Sequence, residues 1–243
     1  MKQILFAAPI LMLAACGETT NTEVTDVEAP LASNGELAAA AAALPAGDFL
    51  DLVLGAKIVG PQGDEVEGAL STNEGNFADI RSFVACPEGM TKCDPKTAPA
   101  GTIYTYVHVV YPGEDNQSST GSGEGNDSSD IERATAFRMI RPAHGFTGTA
   151  GYSKDEVLGA IGPKADVAIT CDAGELVWTV SAGDGGNQWE QAEPVTFYWQ
   201  STLPPAGPAD AYAIDANYTQ AKGPGPYPAE TAGATNACLD ESN

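Results

Sequence analysis

Apolar and polar positions alternate along most of this chain. From Asp48 onward, Leu50, Leu52, Leu54, Ala56 and Ile58 fall on one side, and Asp51, Val53, Gly55 and Lys57 on the other. A period of two is that of a strand with one apolar face. The run 103–111, Ile-Tyr-Thr-Tyr-Val-His-Val-Val-Tyr, reads as a second strand because aromatic and β-branched residues suit a pleated surface. Thr135 to Ile140 reads as a third. Val167–Cys171 and Leu176–Val180 flank Asp172-Ala173-Gly174-Glu175, a turn of hairpin chemistry. Val195–Trp199 and Ala211–Tyr218 complete the series, with Gly- and Pro-rich turns between them. Many short strands with such punctuation predict an all-β fold. The expected form is an antiparallel β-sandwich, immunoglobulin-like or jelly-roll-like.

One short connecting helix is expected inside this series. Ser153 and Glu156 have the spacing of a capping box, Tyr152 and Val157 that of a hydrophobic staple, and Gly162-Pro163 stops the helix. Residues 112–132 carry six carboxylates and almost no apolar side chain, so they are expected to form a disordered acidic loop. A single domain over 46–243 fits the length. Ahead of it, 16–45 reads as a flexible acidic tether, with an Ala-rich stretch at 37–44 as a candidate short helix after Ser33 and Glu36.

The first residues follow another pattern. Lys2 precedes an apolar run from Ile4 to Leu13, too short for the about 20 residues that span a bilayer. It suits the hydrophobic region of a secretory signal, giving a signal peptide over 1–15. The run ends Leu13-Ala14-Ala15-Cys16-Gly17, which resembles the lipobox of bacterial lipoproteins. The resemblance covers only the first seventeen residues. It implies that Cys16 carries a diacylglycerol group, that the signal is cut before it, and that the new amino terminus is acylated. Two or more chains anchor firmly, since each buried CH₂ contributes roughly 0.8 kcal/mol. Gly17 stands where the family's inner-membrane retention signal has Asp, so the resemblance implies an outer-membrane lipoprotein, or a cell-membrane one where no outer membrane exists. The alternative is an ordinary cleaved signal with Cys16 as a disulfide partner.

Charge narrows the partners. Lys and Arg number 11 against 33 Asp and Glu, a formal net charge of −22. Nucleic acid is excluded as a partner, because phosphate binding needs clustered cations. The expected partners are the membrane, reached through the N-terminal lipid, and a protein or glycan ligand. The four other cysteines, Cys86, Cys93, Cys171 and Cys238, are an even set in an oxidising compartment, which predicts two disulfides. Three connectivities are possible; turn-rich residues 87–92 can bring Cys86 to Cys93, which would leave Cys171 for Cys238. A zinc site is the competing reading, but its usual ligand spacing is tighter.

Candidate chemistry is sparse. There is no G-x-S-x-G elbow, no H-E-x-x-H and no phosphate-binding glycine motif. No catalytic residue is assigned, and no cofactor is expected apart from calcium as a candidate. His108 and His144 are the sole histidine bases; His108 reads as a sheet-surface residue and His144 as a loop residue. Asp184, Asn187 and Glu190 lie in a Gly-rich loop and offer oxygen ligands of the kind calcium takes, although a turn with solvated carboxylates is the preferred reading. Trp189, Tyr198 and Trp199 are candidate carbohydrate platforms if they stand out of a sheet face, or core residues if they point inward. Arg133, Arg138 and Arg141 form a basic cluster expected to pair with the acidic loop. The leading expectation is a non-catalytic lipoprotein with a binding or envelope-structural domain. A carbohydrate-binding module is the alternative, and an unidentified hydrolase stands behind both.

Overall fold

Twelve strands and two short helices account for most of the residues that the computed structural model describes: 43–58, 64–73, 75–113, 133–183, 186, 188–189 and 193–240. In chain order they are β1 Ala46–Asp48, β2 Leu54–Lys57, β3 Val66–Thr72, β4 Gly75–Pro87, β5 Tyr104–Pro112 and β6 Ala134–Met139. Then come β7 Phe146–Tyr152, α1 Lys154–Ala160, β8 Asp166–Asp172, β9 Glu175–Ser181, β10 Val195–Ser201, β11 Pro205–Ala216, β12 Thr219–Pro228 and α2 Ala237–Asp240. The signal peptide, most of the tether with its Ala-rich stretch, and 114–132 of the acidic loop lie outside the described residues.

The strands form one sheet in the order β1-β7-β10-β5-β4-β3-β12-β11-β6-β9-β8, with β2 paired to β4. Every strand-to-strand pairing is antiparallel except that of β1 with β7. The all-β expectation therefore holds, as a sandwich folded so far over on itself that it is nearly a barrel. Its two edges are brought together by Leu44, whose N–H donates to Ile169 O of β8 at 2.7 Å just before the chain enters β1. An exposed edge is a template for unwanted pairing, and closing the sheet removes it. Leu44, grouped with the tether on sequence, is thus already part of the sheet. The alternation from Leu50 also needs correction. Phe49–Asp51 is a single 3₁₀ turn, and the strand begins only at Leu54.

Alternation places the core. On β5, Tyr104, Tyr106, His108 and Val110 point inward, opposite Phe197 and Trp199 of β10. Tyr106 stacks on Trp199 with ring centroids 4.5 Å apart. Phe137 lies between Phe197 at 5.0 Å and Tyr212 at 5.6 Å, and Trp178 and Trp189 pack on Phe197 at 5.8 and 5.6 Å. Offset ring pairs of this kind each contribute about 0.5–1.5 kcal/mol beyond area burial.

Local signals worked where the chemistry was local. Ser153 caps α1 and accepts from the Glu156 N–H at 3.3 Å. The reciprocal half of the capping box is replaced. The Glu156 carboxylate accepts from the Thr196 N–H at 2.6 Å and from its hydroxyl at 3.1 Å, tying the helix to β10. The β8–β9 hairpin turns on Ala173 and Gly174, both with positive φ, the signature of a two-residue type I′ turn. The disulfides are Cys86–Cys93 and Cys171–Cys238. The second holds α2 against β8, where Asn236 also donates to Gly174 O at 2.9 Å.

Candidate functional site

The aromatic candidates are buried, which corrects the platform reading. Trp189, Tyr198 and Trp199 are 1%, 2% and 0% exposed. Trp199 points inward. Tyr198 takes the outer face, as alternation requires, but Phe49 packs on it with centroids 6.1 Å apart, and Gly47 and Gly151 let the backbone of β1 and β7 come close over it. A ring covered on both faces cannot stack on a sugar. Asp184, Asn187 and Glu190, the calcium candidates, and Cys16 lie outside the described residues. Among the described residues, no group of three His, Cys, Asp or Glu is placed to hold a metal ion. The four disulfide cysteines are likewise committed to their bridges.

His108 is not a surface residue. It is fully buried between Ser82, whose Oγ lies 2.9 Å from Nδ1, and Tyr212, whose ring is 4.0 Å away. Burial pushes its pKa down to about 3, so it is neutral at ordinary pH. The same burial raises the phenols of Tyr106 and Tyr212 well above their usual range. His144 is half-buried and shares an open hollow of about 570 Å³ with Glu230, Thr231 and Asn236. No ion pair joins it to a carboxylate among the described residues.

The arginines separate. Arg138 donates through Nε and Nη2 to Asp215 Oδ2 at 3.0 and 2.8 Å, with Asp172 at 3.8 Å. Among the described residues its partners come from β11 and β8; 114–132 of the acidic loop, expected on sequence to pair with it, lie outside them. Arg141 donates to Asp210 O at 2.8 Å and lies over the Tyr227 ring at 4.5 Å. Arg133 is exposed, just ahead of β6.

Arg133 leads to a hollow of about 760 Å³. It lies where β6 meets the tip of the β11–β12 hairpin. Arg133, Thr135, Gln188, Asp215, Tyr218 and Gln220 line it. Three contacts order these side chains. Thr135 Oγ1 donates to Asp215 O at 3.1 Å, Gln220 Nε2 donates to Asp215 Oδ1 at 3.0 Å, and Arg138 holds the other oxygen of that carboxylate. Asp215 and Gln220 are cross-strand partners and so share one face. The backbone of the tip is pinned too, since the Asn217 N–H donates to Arg133 O at 3.1 Å.

The turn itself is unusual. Ala216 pairs with Thr219, leaving Asn217 at φ +46° and Tyr218 at φ +63° as a two-residue turn. Gly is the residue that suits the second of these positions. Tyr218 occupies it with a side chain 101% exposed, the most exposed large hydrophobic among the described residues. Sequence analysis placed Tyr218 only as the end of a strand. The available signal was Asn217-Tyr218, a turn-forming Asn between two alternating runs.

The arrangement offers an exposed ring, a fixed carboxylate, two amides, a hydroxyl and a guanidinium around one volume. That volume is within the about 300–1,000 Å³ typical of small-molecule sites. Comparison of the chain with protein-family models, with curated proteins and with solved structures gives no significant match.

Proposed function

We propose that this protein is a lipid-anchored, extracytoplasmic lipoprotein whose β domain is a non-catalytic binding module. The observation that carries the reading is the order of parts: a short apolar run, Leu13-Ala14-Ala15-Cys16-Gly17, and then a domain bridged by Cys86–Cys93 and Cys171–Cys238. Disulfides persist in oxidising compartments, beyond the cytoplasm, which is where a lipobox sends a chain. The 27 residues between Cys16 and Leu44 are long enough to hold the domain clear of a membrane surface. Gly17 favours the outer membrane, with the domain facing the periplasm or the cell surface. The strong negative charge keeps such a domain soluble and disfavours adhesion to anionic headgroups.

Binding, as opposed to catalysis, is supported by the hairpin-tip hollow. Its polar groups pair with one another, as in a recognition surface, while the buried His108 is packed away from solvent. The test is fractionation of Cys16→Ser against wild type. The variant is expected to be released as soluble protein or to accumulate as an uncut precursor. Recovery of the Cys16→Ser variant as mature protein that only detergent extracts from the membrane would refute the lipid anchor.

A further inference from the structure

We infer that the hollow at the β11–β12 tip binds a neutral hexopyranose glycan, with Tyr218 as its stacking platform. The inference deepens the binding-module reading and rests on it. Tyr218 starts the argument because neither packing nor turn chemistry accounts for it. Its ring is fully exposed, so it contributes nothing to the core, and its φ of +63° is a conformation that a non-glycine residue adopts uncommonly. Strain of this kind persists where the surroundings hold it, and such positions cluster at binding sites. Here the surroundings do hold it: the Asn217 N–H is anchored to Arg133 O, and the flanking residues are in ladder register.

The lining then selects the ligand class. A wholly apolar ligand is disfavoured, because beside the apolar surface of Tyr218 and Ala216 it would leave amides, hydroxyls and charges without partners. A phosphate or other strong anion is disfavoured as well. Asp215 faces the volume, Arg138 is already engaged with that carboxylate, and the whole chain carries −22. What remains is a ligand with one apolar face and a rim of hydroxyls, each able to donate and accept. A pyranose ring has that form. Its C–H face would lie on the Tyr218 ring, while Gln220, Gln188, Thr135 and Asp215 would meet its hydroxyls. The planar Arg133 guanidinium would donate to them as well. Asp215 suits this role because Arg138 and Gln220 fix it beforehand, so little order is lost on binding.

The experiment uses the full-length protein solubilised in detergent, so a failure of the anchor would not affect it. Cellohexaose, maltohexaose, mannohexaose and chitohexaose are titrated by calorimetry, with oligogalacturonate as the charged comparison. At least one neutral oligosaccharide is expected to bind saturably. Tyr218→Phe should keep that affinity. Tyr218→Gly should weaken it by about tenfold or more, equivalent to ~1.4 kcal/mol. Tyr218→Gly should also melt at the same or a higher temperature than wild type, because glycine relieves the turn. Lost binding in an equally stable protein is an effect that a purely structural tyrosine would not produce. Absence of binding by all four neutral oligosaccharides at millimolar concentration would overturn the inference. So would binding of oligogalacturonate alone, or wild-type affinity in Tyr218→Gly.

Discussion

His108 Nδ1 and Ser82 Oγ lie 2.9 Å apart across the β4–β5 ladder, and both side chains are fully buried. An imidazole there is held neutral because its charged form has no water and no carboxylate to stabilise it. Its pKa falls from the ordinary 6.5 to about 3 in the folded protein. Between those values the unfolded chain binds a proton that the folded chain refuses. The contribution of His108 to stability is therefore complete above pH 6.5 and shrinks as pH falls toward 3. At pH 4 the loss from this residue alone is roughly 3 kcal/mol.

This loss can be checked by urea unfolding of wild type and His108→Gln from pH 7 to pH 4. The gap between the two proteins should narrow or reverse as pH falls, since glutamine does not titrate. A gap that stays constant with pH would mean that His108 is not kept neutral by the fold. Comparing slopes removes the carboxylates, which titrate alike in both proteins.

The two disulfides should differ in worth. Cys171–Cys238 spans 67 residues and Cys86–Cys93 spans 7. A cross-link restricts the unfolded chain more when it closes a longer loop. On that basis, replacing both cysteines of the long bridge with Ala costs roughly 4 kcal/mol, and of the short one roughly 2–3 kcal/mol. Unfolding midpoints of the two double variants test the order. Loss of the long bridge should also free α2 from β8, which amide exchange at Gly174 and Asn236 would report. Equal midpoints would show that the C-terminal segment is held by its hydrogen bonds and not by the bridge.

One backbone donor joins the two edges of the sheet directly. The Leu44 N–H meets Ile169 O at 2.7 Å, and its side chain is itself largely buried. Leu44→Ala removes side-chain packing and keeps the bond, whereas Leu44→Pro removes the donor. The proline variant is expected to be the less stable by about 1–3 kcal/mol, the cost of leaving a buried acceptor unpaired. Faster amide exchange should be confined to β8 and its neighbour. If the two variants unfold alike, the bridge does not hold the edges together.

Much of this protein could be read from local pattern, because the forces involved act over a few residues. Ser153 ahead of α1, the turn at Ala173-Gly174 and the shared face of Phe197 and Trp199 all follow from capping, positive φ and a period of two. That four cysteines make two bridges followed from counting, and the turn between Cys86 and Cys93 favoured one of the three possible connectivities.

Other features needed the tertiary structure. Strand β12 reads Thr-Gln-Ala-Lys-Gly-Pro-Gly-Pro-Tyr-Pro, which looks like a loop. Its glycines are there because neighbours come too close for a side chain. A Cβ on Gly223 would strike the backbone of Ala69, and one on Gly225 would meet the Tyr212 ring. Tyr198 was legible as facing away from the core, yet only the covering of β1 and Phe49 decided that it is buried. His108 shared a face with Tyr104 and Tyr106, but whether that face was inside or outside depended on how far the sheet curled. Tyr218 gave the weakest signal and has the most exposed ring among the described residues. Its place at the rim of the hollow depends on β6, β11 and β12 meeting, residues far apart in sequence joined by a register that no local period encodes.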